Sequence, residues 1–138
     1  MSFKNFELSE EVYKAISELG FTDPTEIQEK AIPVLKTHTQ DFVGQAQTGT
    51  GKTAAFLVPL LERLDRESED VQALILTPTR ELAHQVYEEL GKLGKYLPFR
   101  STTIYGGTSY EKQIKALKKD PAQIVLCTPE RIIKLTKQ

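Results

Sequence analysis

A glycine-rich stretch constrains the fold of this 138-residue chain more than any other feature of its sequence. Its residues, in order, are Ala46, Gln47, Thr48, Gly49, Thr50, Gly51, Lys52 and Thr53. Glycine adopts backbone angles that are closed to other residues, so successive N–H groups can turn inward around an anion. A helix that begins near Lys52 adds its unpaired N–H groups and the positive end of its dipole. The stretch therefore predicts a phosphate-binding loop followed by a helix.

Two side chains at the end of this loop suit a nucleotide site. The Lys52 ammonium would reach the β- and γ-phosphates, and the Thr53 hydroxyl would coordinate a bridging Mg²⁺. The general pattern has glycine where this chain has Ala46. A glycine- and threonine-rich turn that merely starts a helix is the alternative interpretation. The spacing, after the strand-like residues 41–44 and before an apolar helix predicted over 54–64, favours nucleotide binding.

The composition is that of a single globular domain, with 39% hydrophobic and 27% charged residues. A net charge of -1 gives no general attraction to nucleic acid, so RNA or DNA would need a local site. The lone cysteine, Cys127, excludes an internal disulfide, is expected in the core, and forms no zinc site with the two distant histidines. The absence of a signal peptide or a long apolar run predicts a cytoplasmic protein with no membrane partner.

Apolar runs of strand length alternate with helical patterns along the chain. The predicted strands cover 41–44, 73–76, 101–105 and 124–127, and the continuous apolar run over 73–76 is typical of a strand covered on both faces. The predicted helices cover 10–19, 26–35, 54–64, 80–97 and 109–119, with a further one starting at Pro129. Ser9, Thr25 and Thr79 are the expected helix-starting residues before 10–19, 26–35 and 80–97. This alternation predicts parallel pairing through right-handed crossovers, and hence an α/β sheet with helices on both faces. In such sheets ligands bind at the C-terminal ends of the strands.

Hydroxyl groups, glycines or arginines follow three of the predicted strands. The residues concerned are Thr77, Pro78, Thr79 and Arg80, then Gly106 and Gly107, then Thr128, Pro129, Glu130 and Arg131. Threonine hydroxyls, the N–H groups of a starting helix and arginine side chains commonly bind a nucleic-acid backbone. Proline-initiated helices are common in α/β proteins, so each group alone is a weak signal. Their repetition at one sheet edge, beside the phosphate loop, indicates a surface for a polyanion.

The helix start at Thr25 has two explanations. Pro24 ends the preceding segment, and Gln28 follows Thr25 by three residues. Because these residue types at that spacing form a capping box, hydrogen bonds at the helix end explain Gln28 on their own. The other interpretation is that the Gln28 carboxamide recognises a nucleotide base, which depends on the context of the remaining motifs.

Taken in order, these motifs resemble those of the first RecA-like domain of the DEAD-box RNA helicases, a family of superfamily 2. The matching segments are 20–28 for the Q motif, 46–53 for motif I, 78–83 for motif Ia, 106–107 for the double glycine and 128–131 for motif Ib. Phe3 stands at the place of the aromatic residue upstream of the Q motif, and alanine is normal at the place of Ala46. The resemblance implies a three-layer α/β fold, a RecA-like P-loop domain with a mainly parallel sheet, of which residues 1–138 form the N-terminal part.

The resemblance also implies that the ligand is ATP with Mg²⁺. Phe3 is expected to stack on adenine, and Gln28 to hydrogen-bond the N6 and N7 edge, which suits a carboxamide. Lys52 and Thr53 take the catalytic positions, and Thr53 is the residue expected to bind the metal. The full set expected to contact the nucleotide is Phe3, Phe21, Thr25, Gln28, Ala46, Gln47, Thr48, Gly49, Thr50, Gly51, Lys52, Thr53 and Ala54.

One RNA strand is the second ligand that the resemblance implies, held along its backbone without regard to base sequence. The residues expected to contact it are Pro78, Thr79, Arg80, Glu81, Gly106, Gly107, Thr128, Pro129 and Arg131. Glu26 stands where proline is common in the family, which is expected to be harmless. Glu130 stands where glycine is common, and its carboxylate either weakens the RNA contact or points away.

Several family features are missing from these 138 residues. They are the Asp-Glu-Ala-Asp motif, the Ser-Ala-Thr motif and the second RecA-like domain, the expected partner that supplies arginine fingers. Because phosphoryl transfer depends on such positioned charges, we expect the chain alone to bind ATP without hydrolysing it or unwinding RNA. We also expect a sheet that is incomplete on its C-terminal side, with an edge or apolar surface uncovered.

Two other function classes remain as alternatives. The first is another P-loop enzyme, such as a small kinase or a GTPase, although the Asn-Lys-x-Asp pattern that reads guanine is absent. The second is a non-enzymatic interaction module that uses the lysines of one predicted helix, Lys112, Lys115, Lys118 and Lys119. Charged helical faces are usually only solvated, so the helicase interpretation is preferred.

Overall fold

The computed structural model describes residues 2–37, 41–45, 51–104 and 122–129 of the chain. In chain order the elements are a short 3-10 helix Phe3–Phe6, α1 Glu10–Glu18, α2 Glu26–Thr37, α3 Lys52–Glu62, β1 Ala73–Leu76, α4 Arg80–Leu93, β2 Ser101–Ile104 and β3 Ile124–Cys127. The chain divides into two compact units, Met1–Leu64 with Glu89–Leu97, and Asp65–Glu88 with Pro98–Gln138. None of the helices in the described ranges is long and apolar enough to cross a membrane.

The first unit contains three helices that begin where the sequence predicts. Ser9 precedes α1, and its hydroxyl accepts a hydrogen bond from the Val12 N–H at 3.4 Å. Thr25 precedes α2, and α3 begins at Lys52, directly after a glycine. α2 packs against α3, and the buried residues of α3 form most of one face of the helix. Side chains with helix-capping hydroxyls therefore mark the starts of α1 and α2, because they satisfy N–H groups that a helix leaves unpaired, whereas glycine precedes α3.

The strand predicted over 41–44 is wrong. Residues 41–45 have no regular secondary structure, and the Val43 side chain is 96% exposed. A strand requires a neighbour that accepts and donates backbone hydrogen bonds, and no described strand pairs with this segment. The helix that follows the phosphate loop ends at Glu62, two residues before the predicted end at 64.

The second unit contains a parallel three-stranded sheet with the order β1-β3-β2. Ala73 and Ser101 both lie opposite Ile124, so the three strands start level with one another. Every residue of the central strand β3 is buried, including Cys127, which confirms the core position expected for this cysteine. The predicted parallel pairing of the strands over 73–76, 101–105 and 124–127 is therefore confirmed.

β1 is an edge strand among the described residues, and it carries two exposed leucines. The N–H groups of Ala73 and Thr77 bond the carbonyl oxygens of Gln123 and Cys127 at the β3 side. Because the backbone polar groups of successive strand residues alternate in direction, the N–H and C=O groups of Leu74 and Leu76 point away from β3, toward the open side of the sheet. The prediction that both faces of the 73–76 strand are covered is therefore wrong, because Leu74 and Leu76 are about half exposed on this edge strand.

α4 begins as predicted but ends earlier. The Thr79 hydroxyl accepts a hydrogen bond from the Leu82 N–H at 3.1 Å, which confirms Thr79 as the cap. The helix ends at Leu93 and not near 97, because the Gly94 N–H closes the last turn on the Leu90 carbonyl and a tighter turn follows. The helix predicted over 109–119 and nearly all of the one starting at Pro129 lie outside the described residues.

Candidate nucleotide-binding site

Thr25 and Gln28 form the capping box that their spacing predicts. The Thr25 N–H donates to the Gln28 side-chain oxygen at 2.9 Å, and the Gln28 N–H donates to the Thr25 hydroxyl at 3.4 Å. Gln28 is 3% exposed, so its polar atoms need partners inside the protein. The structural explanation of Gln28 is therefore confirmed, and any base recognition must use what remains of its hydrogen-bonding capacity.

A second contact joins Gln28 to the phosphate loop. The side-chain nitrogen of Gln28 donates to the carbonyl oxygen of Gly51 at 3.3 Å. A carboxamide offers two donor hydrogens and two acceptor lone pairs, and the contacts to Thr25 and Gly51 use one of each. The contacts with described residues leave one hydrogen and one lone pair of this carboxamide, which is the combination that the N6 and N7 edge of adenine requires. The helix cap and base recognition are compatible, although the sequence presents them as competing explanations.

Gly51 occupies a position that no other residue type can fill without strain. Its φ is 83°, in the left-handed region, where it serves as the cap residue of α3. A Cβ atom built there would lie 2.5 Å from the side-chain nitrogen of Gln28 and 3.1 Å from the Thr25 hydroxyl. The close approach of the loop to the start of α2 therefore depends on the missing side chain.

The N-terminus of α3, which is the positive end of its helix dipole, directly follows Gly51. Lys52 is the first residue of α3 and its side chain is exposed, Thr53 is half-buried, and Ala54 is buried. The first N–H groups of a helix have no partner within it, so this end suits an anion such as phosphate. The other predicted loop residues, Ala46, Gln47, Thr48, Gly49 and Thr50, lie outside the described residues.

Two predicted aromatic contacts of the nucleotide lie side by side in the first unit. The rings of Phe3 and Phe21 stack with their centroids 6.4 Å apart and an interplanar angle of 23°. Phe6 meets Phe3 edge-on at 5.7 Å. Phe3 is only 2% exposed, so its ring is largely covered by the protein itself. Stacking of Phe3 on adenine stays a prediction.

Predicted RNA-binding residues lie at the C-terminal ends of two paired strands in the second unit. Leu76 lies opposite Cys127, and the Thr77 N–H donates to the Cys127 carbonyl at 3.0 Å, so the segments after β1 and β3 emerge together. Pro78, Thr79, Arg80, Glu81 and Pro129 are exposed there, and Thr128 is half-buried. Gly106, Gly107 and Arg131 lie outside the described residues. Contact of these residues with RNA stays a prediction.

A metal site built from protein side chains alone is absent from the described part of the chain, where no three His, Cys, Asp or Glu residues cluster suitably. The predicted Mg²⁺ site is of another kind, since it needs one hydroxyl, from Thr53, together with phosphate oxygens. The position of Thr53 in the first turn of α3 fits that arrangement. Binding of Mg²⁺ at Thr53 stays a prediction.

The amino-acid sequence was compared with models of known protein families. The family model described as DEAD/DEAH box helicase matches residues 25–138. The chain belongs to the DEAD/DEAH box helicase family. The resemblance stated from the sequence motifs is therefore confirmed, and the contact between Gln28 and Gly51 joins two segments that carried it.

Two bacterial RNA helicases are among the curated relatives of this DEAD/DEAH box helicase chain. The chain is 51% identical over 131 residues to the ATP-dependent RNA helicase CshA of Listeria monocytogenes, covering 95% of this chain and 25% of the relative. It is 52% identical over 132 residues to the DEAD-box ATP-dependent RNA helicase CshA of Geobacillus kaustophilus, covering 96% and 28%. The chain therefore spans about a quarter of the length of the curated relatives it matches.

Solved structures of helicase-family members share the fold. A DEAD box protein from Methanococcus jannaschii superposes with a TM-score of 0.93 at 42% identity, covering 99% of this chain and 37% of that chain. Dbp5 of S. cerevisiae, solved bound to RNA and ADP BeF3, superposes with a TM-score of 0.86 at 34% identity, covering 99% and 34%. The predicted α/β, RecA-like fold with a parallel sheet is therefore confirmed.

Proposed function

We propose that this chain binds ATP with Mg²⁺ and one strand of RNA, as the N-terminal part of the first RecA-like domain of an ATP-dependent RNA helicase. The observation that carries the proposal is the hydrogen bond from the Gln28 side chain to Gly51. It connects the predicted base-reading residue to the predicted phosphate loop, within a chain of the DEAD/DEAH box helicase family. The names of the curated relatives, ATP-dependent RNA helicases, support the same activity for the intact protein.

The nucleotide is held by three kinds of contact. The N-terminal N–H groups of α3 and the exposed Lys52 ammonium bind the phosphates, since both present positive charge at one point. Thr53 would hold Mg²⁺, which supplies neutralisation of the phosphate charge when bound. The hydrogen and lone pair that Gln28 retains bind the adenine edge and disfavour guanine, whose O6 replaces the amino group. The half-buried Phe21 provides the aromatic surface for the base, with the covered ring of Phe3 stacked beside it.

RNA binds at the strand ends of the second unit through its sugar-phosphate backbone. The exposed Thr79 and Arg80 after β1, with Thr128 and Pro129 after β3, offer hydroxyl, N–H and guanidinium groups. Because the chain has a net charge of -1, the affinity must come from this local surface. Such contacts read no base edges, so the binding is independent of sequence. The relative Dbp5, solved bound to RNA, supports a nucleic-acid role for the fold.

We further propose that these 138 residues bind ATP without turning it over. The sequence contains no Asp-Glu-Ala-Asp or Ser-Ala-Thr segment, and a second RecA-like domain would supply the arginines that stabilise the transferring phosphoryl group. Unwinding of RNA therefore belongs to the intact protein. A cytoplasmic location stays a prediction.

Titration calorimetry of the full chain with ATP and Mg²⁺, followed by an assay of RNA-stimulated hydrolysis, tests the proposal. We expect ATP binding that Lys52→Ala weakens by at least about tenfold, since a charged phosphate contact contributes roughly 1.5–3 kcal/mol. Lys30→Ala is the matched control, because Lys30 is an exposed lysine of α2 whose ammonium pairs with the Glu26 carboxylate at 2.8 Å. Equal ATP binding by the Lys52 and Lys30 variants, or sustained turnover abolished by Lys52→Ala, would contradict the proposed division of roles.

A further inference from the structure

The N-terminal segment that carries Phe3 cannot hold its shape alone. The segment, residues 3–9, consists of a four-residue 3-10 helix, Phe3–Phe6, then Glu7 with a φ of 54°, and two residues that lead into α1. Short 3-10 helices are weak, and the left-handed conformation is unfavourable for a residue with a side chain. Within the segment, the Asn5 and Glu7 N–H groups donate to the Ser2 and Lys4 carbonyls at 3.0 and 3.3 Å. Contacts from outside the segment must therefore fix it.

Lys36 supplies the first of these contacts. Its ammonium donates to the carbonyl oxygen of Phe6 at 2.8 Å and to that of Glu7 at 2.5 Å. Lysines in the last turn of a helix commonly serve the free carbonyls of their own helix. Lys36, in the last turn of α2, bonds the carbonyls of the N-terminal segment through charge-assisted hydrogen bonds, which are the strong kind.

Glu62 supplies the second contact. It is the last residue of α3, and one oxygen of its carboxylate accepts from the Ser9 N–H at 2.9 Å and from the Ser9 hydroxyl at 3.0 Å. Arg63, the next residue, donates to the Leu35 carbonyl at 3.2 Å. The C-terminal ends of α2 and α3 are thus joined to each other, and each of them also holds the N-terminal segment. We call Lys36 and Glu62 the anchor pair.

The anchor pair and the nucleotide site lie at opposite ends of the same two helices. The Gln28 to Gly51 contact joins the starts of α2 and α3, whereas Lys36 and Glu62 stand at their ends. A helix the length of α3 spans about 16 Å. The N-terminal segment connects the Lys36 contact at Glu7 to Phe3, whose ring stacks on that of Phe21.

We propose that Lys36 is a positioning residue for the base end of the ATP site: its hold on the Phe6 and Glu7 carbonyls sets the Phe3 ring beside Phe21. Glu62 supports the same segment from α3. Neither residue touches the nucleotide in this account, so both act through Phe3. The inference rests on the proposed ATP site and adds to it a determinant of base affinity that lies remote from the phosphate loop.

The test compares ATP with tripolyphosphate, which has the phosphates but no base, in titrations of the full chain. If Lys36→Met leaves the segment ordered for only about a tenth of the time, ATP affinity falls about tenfold, because only the competent fraction binds. Tripolyphosphate affinity stays at the wild-type value, and Lys36→Arg restores ATP affinity because a guanidinium reaches the same carbonyls. Lys30→Met, which removes an exposed lysine of the same helix, changes neither affinity.

A double variant and an exchange measurement separate positioning from general stability. Phe3→Ala with Lys36→Met should bind ATP no more weakly than Phe3→Ala alone, since the two changes remove one interaction. Amide hydrogen exchange at Asn5 and Glu7 should quicken in Lys36→Met while α2 keeps its protection. Equal loss of ATP and tripolyphosphate, additive losses in the double variant, or unchanged exchange would overturn the inference.

The inference and the proposed function fail in different ways. A wild-type chain that binds tripolyphosphate but not ATP refutes the proposed ATP site, and the role of Lys36 with it. If the wild-type chain binds ATP more tightly than tripolyphosphate and the Lys36→Met variant shows the same ratio of affinities, only the role of Lys36 is refuted.

Discussion

The side-chain nitrogen of Gln28 donates a hydrogen bond to the Gly51 carbonyl oxygen, 3.3 Å away. The same carboxamide accepts a hydrogen bond from the Thr25 N–H at 2.9 Å. One buried side chain therefore fixes the start of α2 and contacts the cap residue of α3, and its contacts with described residues leave one hydrogen and one lone pair for the proposed base contact. A change at Gln28 or at Gly51 should consequently alter both the stability of this region and its ligand binding.

Replacing Gly51 with alanine should destabilise the chain and weaken phosphate binding. The φ of 83° costs a residue with a side chain about 1–2 kcal/mol. The new Cβ would also stand 2.5 Å from the Gln28 side-chain nitrogen and displace it. We expect the free energy of unfolding, measured by urea denaturation, to fall by at least about 2 kcal/mol, the backbone cost and the lost hydrogen bond together.

Gly91→Ala is the matched control for that variant. Gly91 lies within α4, and no atom stands within 4 Å of a Cβ built there. Alanine in a helix is favoured over glycine by roughly 0.5–1 kcal/mol, so this variant should be slightly more stable than wild type. If the two substitutions changed the free energy of unfolding equally, neither the left-handed backbone at Gly51 nor its contact with Gln28 would contribute to stability.

Replacing Gln28 with glutamate should make stability depend on pH. A glutamate keeps the acceptor for the Thr25 N–H, but when ionised it places a buried charge against the Gly51 carbonyl. Only the protonated form can donate to that carbonyl, so burial and this contact raise the folded pKa above the unfolded value of about 4.3. The contribution of the protonated form is complete below that value and is lost as the pH rises through the folded pKa.

Urea denaturation of the Gln28→Glu variant and wild type at pH 5 and pH 8 checks this expectation. The difference in unfolding free energy should be larger at pH 8, by about 1–3 kcal/mol for an unsatisfied buried group. A constant difference across that interval would show that the carboxamide nitrogen donates nothing of value to Gly51.

Replacing Thr79 with alanine should weaken α4 and RNA binding together. The Thr79 hydroxyl accepts the hydrogen bond of the Leu82 N–H at 3.1 Å, and loss of such a cap costs about 1 kcal/mol. Thr79→Ser keeps the hydroxyl and should retain most of the stability. Fluorescence anisotropy with a labelled single-stranded RNA provides the second readout. A serine variant as weak as the alanine variant in both measurements would rule out the hydroxyl as the operative group.

Local sequence patterns predicted the helix starts and the central strands of this chain. Ser9, Thr25 and Thr79 all cap helices as expected, because a hydroxyl near an unpaired N–H needs only a few residues of context. The apolar runs over 73–76 and 124–127 are paired strands. The prediction of a strand over 41–44 was wrong. Whether a short segment becomes a strand depends on a neighbouring strand that the segment itself does not specify.

Contacts between distant residues were beyond prediction from the sequence. Gln28 and Gly51 are separated by 23 positions, and Lys36 and Phe6 by 30. Such hydrogen bonds exist only because α2 packs against α3 and the N-terminal segment folds back onto both, which no spacing rule contains. The sequence patterns single out both Gln28 and Gly51 but do not predict that these two residues touch.

The Cys127 thiol should report on unfolding. Cys127 is fully buried in β3, and burial raises the pKa of its thiol because the thiolate loses its hydration. The native chain should therefore react slowly with a thiol reagent such as DTNB at pH 8, and quickly once urea unfolds it. The raised pKa favours the folded state below the unfolded thiol pKa of about 8.5, and that stabilisation is lost as the pH rises further. Rapid native labelling at pH 8 would contradict the buried position.

The most direct test of the account compares ATP and GTP affinities of wild type and Gln28→Ala, measured by titration calorimetry with Mg²⁺. The account predicts that wild type prefers ATP, and that Gln28→Ala loses about tenfold in ATP affinity while GTP affinity changes little, since a base contact is worth roughly 1–1.5 kcal/mol. An unchanged preference for ATP in Gln28→Ala would contradict it, and would leave Gln28 as a helix cap and nothing more.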